Sequence, residues 1–320
     1  MRAFSHQFSS WLSQKIPFVF LVDYEQQKPL LYRFDEAAQK GLLFNVKGST
    51  NAPEKERPTL AKLKKTPLSF QVYKKAFEKV THGLYRGDSF LTNLTFASPI
   101  SLQNSLEELF YGVNAPYKLY LKDQLVLFSP ECFITIEGNE IASYPMKGTI
   151  DASLPNAKEK LTQNHKELLE HNTIVDLIRN DLSQIAKQVE VKQFRYLETI
   201  ATTQGKLLQS SSEIKGILPP NWETKAGELF LKLLPAGSIT GAPKLKTCAL
   251  IEQAEDGPRG YYCGVFGIFD GQRLESAVNI RYIEKKGNHY YYRSGGGITH
   301  LSQLEEEYEE LLKKIYIPTV

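Results

Sequence analysis

The sequence predicts an α+β architecture built mostly on antiparallel sheet, and three observations carry that expectation. Strand-like runs come in pairs joined by short turns. The clearest is "ECFITIEGNEIAS", where Gly138-Asn139 separates two alternating stretches and forms a two-residue hairpin signal. Helical periodicity falls in blocks between groups of strands, as expected when helices cover an antiparallel sheet. The chain has 320 residues, 42% of them hydrophobic and 23% charged, which is the composition of an ordinary globular protein with a sizeable core.

Taken in order, "PFVFLVDY" reads as a strand and "PLLYRF" as its hairpin partner. Residues 45–66 are polar and rich in Pro and Lys, and predict a long surface loop. Helical periodicity covers 68–84, and "GDSFLTNLTFASPI" and "YKLYLKDQLVLFS" read as strands. In the Gly138-Asn139 hairpin, pairing outward from Glu137 and Glu140 brings residue 131 opposite 146, so Glu131 is expected beside Lys147 across the hairpin. A long helix is predicted over 156–188 and a shorter one over 225–234. "YYCGVFGIFDG", "LESAVNIRYIE" and "HYYYRSG" predict three further strands, and a closing helix runs over 302–316. No repeat, low-complexity tract or clean linker divides the chain, so one domain is expected over 1–320.

Bulk properties exclude several classes. A net charge of +3 is too small for a nucleic-acid binder, and no aromatics interleave with the lysines of "EKERPTLAKLKK". Cys132, Cys248 and Cys263 are too scattered for a disulfide framework or a zinc site, which suits a reducing compartment. The N-terminal apolar run is short, is broken by Asp23 and lacks a cleavage pattern, and nothing approaches a membrane span, so a cytoplasmic location is expected.

Several constellations could carry chemistry. Glu167 and Glu170 stand at i and i+3 on the long helix, with Glu167 in line with Ile174, Ile178 and Ile185 on its apolar side. Glu307 and Glu310 repeat the arrangement on the closing helix. A carboxylate on a core-facing stripe is costly unless paired or bound to metal. Two such pairs could supply oxygen ligands to a hard cation such as Mg²⁺, although a solvated acidic surface is the commoner reading of each helix by itself. "PAGSITGAPK" (235–244) lacks the Gly-Lys-Ser/Thr ending of a phosphate loop. The glycines of "SGGGIT" (294–299) let backbone approach a ligand, or simply make a tight turn. Arg281 alternates with Asn279 and Ile283, and could end in a salt bridge or grip a carboxylate. Lys147 with Glu131 could be a structural ion pair, or a nucleophile beside a proton donor.

These blocks occur in an ordered set: "GDSFLTNLT", "SPECF", "PMKGT", "KELLEHNTIVDLIRNDL", "PAGSITGAPK", "RGYYCGVFGIF", "NIRYI", "GGGI" and "EEEYEELLKK". The set resembles the chorismate-utilising enzymes over about residues 84–316: anthranilate, aminodeoxychorismate, isochorismate and salicylate synthases. The resemblance implies two large, mostly antiparallel β-sheets packed together and flanked by helices, in a single catalytic domain whose residues 1–66 match weakly. It implies Mg²⁺ held by Glu167 and Glu307, with Glu170 and Glu310 close by, gripping the ring carboxylate of chorismate. Arg281, Tyr262 and the backbone of Gly295, Gly296 and Gly297 would bind the enolpyruvyl carboxylate, and Thr149 with the Thr240-Gly241 loop would line the pocket.

The central residue of the Pro-x-x-Gly-Thr block separates the branches. Anthranilate and isochorismate synthases resemble one another in having alanine there, whereas lysine resembles the branch that aminates C4 of chorismate on the way to p-aminobenzoate and folate. In that branch Lys147 would add at C2 and Glu131 would be the general acid, whereas anthranilate formation is the alternative within the family. No glutaminase pattern is present, so the resemblance implies ammonia from a separate glutamine amidotransferase subunit. Three positions depart from the family pattern. The N-terminal part lacks the Leu-Leu-Glu-Ser element of the tryptophan site, Met146 replaces isoleucine, and Gln209 or a neighbour stands where anthranilate synthase has a pocket histidine.

Overall fold

The computed structural model describes residues 1–202 and 205–318. Helix α1 (Arg2–Ser13) precedes the hairpin of β1 (Phe18–Val22) and β2 (Leu30–Arg33), a helical turn α2 (Phe34–Ala37) and β3 (Leu42–Val46). The short strands β4 (Ser49–Thr50) and β5 (Lys64–Lys65) punctuate the expected surface loop before α3 (Phe70–Tyr85). Next come β6 (Leu91–Ser101), α4 (Leu106–Gly112) and two hairpins, β7 (Tyr117–Leu121) with β8 (Leu125–Ser129) and β9 (Cys132–Glu137) with β10 (Glu140–Ser143). Strand β11 (Met146–Asp151) leads into α5 (Ala157–Gln163), α6 (His165–Ser183) and the long strands β12 (Lys187–Thr202) and β13 (Gly205–Ile217). Helix α7 (Ala226–Lys232), β14 (Gly241–Ala242) and α8 (Lys244–Ala254) follow. The chain then runs through β15 (Val265–Phe269), β16 (Arg273–Val278), β17 (Tyr282–Lys286) and β18 (His289–Ile298) to α9 (Leu304–Lys313).

Among the described residues the strands form two antiparallel sheets of nine strands each. One runs β11-β13-β10-β9-β16-β15-β1-β2 with β12 on β13, and the other β14-β6-β18-β17-β8-β7-β3-β4 with β5 on β6. A single apolar cluster takes Val19, Leu21, Ile134 and Val265 from the first sheet and Phe44, Leu119, Leu125 and Leu127 from the second, so the sheets pack face to face. Helices α1, α6 and α7 contribute Phe8, Ile178 and Phe230 to the same cluster. Over β6 and β18, Phe77, Leu250 and Leu311 of α3, α8 and α9 form another. The α+β architecture of two packed, helix-flanked sheets is therefore as the sequence predicts.

Three expected elements are drawn differently. The helix predicted over 156–188 is two, broken at Asn164, whose backbone is extended and whose side-chain Oδ1 caps α6 by accepting the Glu167 N–H at 3.0 Å. "LESAVNIRYIE" is not one strand: β16 lies in the first sheet and β17 in the second, and Arg281 sits at the corner between them with φ 52°. Arg281 thus does not alternate on a strand face. The glycines of "SGGGIT" are neither a turn nor a loop but the end of β18, paired in register with β6.

The crossing of α1 and α7 depends on a missing side chain. A Cβ on Gly227 would stand 2.2 Å from the Ser5 carbonyl oxygen, and the Gly227 N–H donates to Ser9 Oγ at 2.9 Å. Gly227→Ala is expected to cost about 1–3 kcal/mol in urea unfolding, because neither backbone can retreat from the overlap.

Candidate active site

One wall of the site is built on β11. This strand pairs with β13, and Gly148 forms a bulge at φ 74°, leaving Lys147 opposite Ser210 and Thr149 opposite Gln209. A Cβ on Gly148 would lie 3.0 Å from Glu167 Oε2 and 3.0 Å from Leu161 Cδ1, so only glycine lets the first turn of α6 come this close. One turn further along α6, Glu170 Oε2 lies 3.7 Å from Lys147 Nζ. The break at Asn164 is what aims both glutamates at β11.

The other wall is the glycine end of β18. Thr95, Leu94 and Asn93 of β6 stand opposite Gly295, Gly296 and Gly297. The Thr95 N–H goes to Glu255 Oε1 and the Asn93 N–H to the Thr240 carbonyl, so neither bonds β18. In an antiparallel ladder such pairs direct both partners' polar groups outward. Gly295 and Gly297 therefore point their N–H groups away from β6, along an edge that β17 does not reach because its pairing stops at Arg293. A Cβ on Gly297 would be 3.7 Å from Lys147 Nζ, which brings the two walls together.

Helix α9 closes the edge of this strand. A Cβ on Gly296 would lie 3.5 Å from Glu307 Oε2 and 3.6 Å from Glu310 Oε1. Glu307 is 5% exposed, with its Oε1 accepting the Ser302 hydroxyl at 2.7 Å. Lys314 Nζ reaches Glu310 Oε1 at 2.7 Å and the Gly295 carbonyl at 2.8 Å, tying the helix to the strand. Sequence pattern missed Gly148, Ser302 and Lys314. The last has a recognisable i+4 spacing from Glu310.

Glu131 reaches the site by a route other than the one expected. The β9–β10 hairpin pairs as predicted at Glu137–Glu140 but stops at Ala142–Thr135, after which Ser143 and β11 turn to β13. Residues 131 and 146 are not cross-strand partners. Burial nevertheless pushes the Glu131 carboxyl above its ordinary range, while the Ser238 hydroxyl and the positive charges of Lys147 and Arg281 act in the opposite sense. The acid, the amine and the guanidinium therefore share one neighbourhood. The Arg281 guanidinium lies 5.1 Å above the Tyr316 ring.

The remaining expected residues divide. Tyr262 is buried beside Tyr282, with the Arg293 guanidinium 6.0 Å from its ring. Thr240 is fully buried and spends its hydroxyl on the Ala236 carbonyl at 2.8 Å, so its side chain holds its own loop. Gly241, at φ 125°, would put a Cβ 1.8 Å from the Leu91 carbonyl oxygen, and so permits the pairing of β14 with β6. Thr149 is exposed, and Gln209 donates to Ser211 Oγ at 3.2 Å.

Behind β6 lies a charged network that pattern reading also missed. Arg259 forks onto Glu255, donates to the carbonyls of Ile239 (3.0 Å) and Asn93 (2.6 Å), and stacks 4.6 Å from the Tyr24 ring. Glu255 Oε1 also accepts both donors of Thr95, at 2.8 and 3.0 Å. The network fixes the strand and loop that back the glycine wall.

All four candidate cation ligands are carboxylates, the donor chemistry that Mg²⁺ requires. Among the described residues, no three acidic, histidine or cysteine side chains converge closely enough to form a metal cluster as they stand. Next to Glu170, His171 is 1% exposed and shares a 2.6 Å hydrogen bond between its Nε2 and Ser212 Oγ. Burial, then the charges of Arg195 and Lys147, push its imidazole from 6.5 down to about 4. Protonation thus favours the unfolded chain, so this contribution to stability is intact above pH 6.5 and fades as pH falls towards about 4. The melting midpoint is expected to drop across that window in differential scanning fluorimetry, and His171→Asn should flatten the drop.

With a cation on the carboxylates of the two helices, the amine, the arginine and the strand-edge amides suit a small, multiply charged anion. The profile of the chorismate binding enzymes matches residues 12–319, and the chain belongs to that family. It is 50% identical, over 99% of its length and 97% of the relative's, to an "Uncharacterized PabA-like protein" of Haemophilus influenzae. It is 29% identical over 78% of its length to "Aminodeoxychorismate synthase component 1" of Bacillus subtilis, and covers 55% of that protein. At 29% identity it also matches "Anthranilate synthase component 1" of Leptospira biflexa, over 82% of this chain and 59% of that one. The menaquinone-specific isochorismate synthase of Escherichia coli shares the fold, with a TM-score of 0.74 at 16% identity over 98% of this chain and 80% of that one. The protein is a chorismate-utilising enzyme. No helix among the described residues is long and apolar enough to cross a membrane.

Proposed function

We propose that the protein aminates chorismate to 4-amino-4-deoxychorismate, using ammonia from a separate glutamine amidotransferase subunit, in the cytoplasmic route to p-aminobenzoate and folate. The observation that carries this reading is Lys147, an amine set between the Glu170 carboxylate and the glycine strand edge, in the same neighbourhood as Glu131. A sister activity that only eliminates or hydroxylates has no need of a nucleophile there.

The chain's own groups divide the work. Arg281 and the Gly295 and Gly297 amides hold the enolpyruvyl carboxylate, with Tyr262 behind them. As the free amine, Lys147 attacks C2, both ring double bonds shift, and the C4 hydroxyl departs as water with the proton supplied by Glu131. Ammonia then bonds to C4, both double bonds shift back, the Lys147 amine leaves C2 unchanged, and the new C4 ammonium returns a proton to the Glu131 carboxylate. Glu167, Glu170, Glu307 and Glu310 would hold Mg²⁺, which when bound supplies positive charge against the ring carboxylate.

Incubation with chorismate, ammonium and Mg²⁺ tests the proposal. The product should yield p-aminobenzoate only when a lyase is added, and turnover should stop with EDTA and return with Mg²⁺. Anthranilate fluorescence without any lyase would overturn it in favour of the anthranilate branch.

A further inference from the structure

One buried residue bonds to the segments that carry both Lys147 and Glu170. Ser212 of β13 is fully buried. Its N–H donates to the Pro145 carbonyl at 2.9 Å, two residues before Lys147. Its hydroxyl bonds His171 Nε2 at 2.6 Å, one residue after Glu170. The same oxygen accepts the Arg195 N–H of β12 at 3.0 Å. One serine therefore joins the start of β11, the helix carrying Glu170, and a third strand.

The third arm extends the node to the other carboxylate. Arg195 stands at φ 49°, a left-handed conformation uncommon for a side-chain-bearing residue. From there its guanidinium donates to the Leu161 carbonyl at 2.9 Å and the Thr162 carbonyl at 3.1 Å, the last turn of α5. That turn immediately precedes the Asn164 break from which α6 starts. The node thus grips α6 on both sides of its glutamates, at the α5 end and at His171.

We propose that Ser212 and His171 are positioning residues that set the distance between Lys147 and Glu170. The proposal rests on the amination reading for its kinetic consequence but not for its structural one. A hydroxyl bonded on both sides fixes the imidazole against β13, and the imidazole fixes the turn of α6 that carries Glu170. Without the hydroxyl, α6 rotates or lifts relative to β11, while the substrate-gripping groups on β18 and at Arg281 stay where they are. A displacement of about 1 Å of a reacting group costs on the order of 10²-fold in rate.

Three variants test this: Ser212→Ala, His171→Leu and the conservative His171→Asn, which keeps a side-chain hydrogen-bonding group near Ser212. In steady-state amination at saturating Mg²⁺, Ser212→Ala and His171→Leu should lower kcat by about 10- to 100-fold, a larger factor than any rise in KM for chorismate, and His171→Asn should recover most of kcat. If Ser212→Ala does not fold, Ser212→Cys serves in its place. Crystal structures of wild type and Ser212→Ala grown without substrate should show the Lys147–Glu170 separation widened in the variant. An unchanged separation, or a kcat within about twofold of wild type in both disruptive variants, overturns the proposal. Wild-type protein that does not aminate chorismate overturns the functional reading instead, and leaves the crystallographic comparison to decide the positioning role.

Discussion

Lys147→Ala should lose at least about a thousandfold in amination rate while still binding chorismate within a few-fold of wild type in calorimetry. The groups proposed to grip the substrate's carboxylates lie on β18, α6 and α9 and at the Arg281 corner, and truncating Lys147 removes only its ion pair with Glu170. Lys147→Arg should not rescue the rate, because a guanidinium keeps the charge opposite Glu170 without providing a nucleophile. Acid quenching during turnover should leave the wild-type peptide that carries Lys147 heavier by chorismate less water. A Lys147→Ala enzyme that aminates at full rate would remove covalent catalysis from this site.

The second large effect concerns stability. Arg259→Leu leaves the Glu255 carboxylate, 5% exposed in its side chain, without its counter-charge. A buried charge deprived of its partner costs about 3–5 kcal/mol. The double variant Arg259→Leu, Glu255→Leu should recover at least half of that loss, since it removes the stranded charge along with the pair. Urea unfolding of the two single variants and the double one measures the coupling. A double variant as unstable as the worse single one would mean that the hydrogen bonds to Asn93, Ile239 and Thr95, rather than the charge pairing, hold this region.

The two sheets were legible in the sequence wherever local turn chemistry decided the pairing. Gly138-Asn139 placed the β9–β10 turn, and the apolar runs "FVFLV" and "LLYR" gave β1 and β2. Strand β13 escaped because "QSSS" offers no apolar alternation. Gln209 to Ser212 are all buried, and their polarity is satisfied by groups far along the chain, such as Arg195 and His171. Helix α1 escaped because its face is rich in serine, two of which are buried against the backbone of α7 rather than presented as an apolar stripe. The Glu-x-x-Glu spacing named the carboxylates, but the cues that orient them were a capping asparagine and a bulged glycine. Arg281 was misplaced because one continuous alternating run passes between sheets, and only a positive φ in mid-run marks the corner.

The order of strands has a consequence for how the molecule is made. Phe18 to Val22 are wholly buried, yet Phe18 pairs with Phe269, near the other end of the chain. At about 5–20 residues per second of synthesis, β1 waits some tens of seconds for that partner. Its hairpin mate β2 covers one edge early, but the other edge and both apolar faces stay bare in the meantime. A nascent chain of this protein is therefore expected to be a client of ribosome-associated chaperones through its first strand, long before any active site exists.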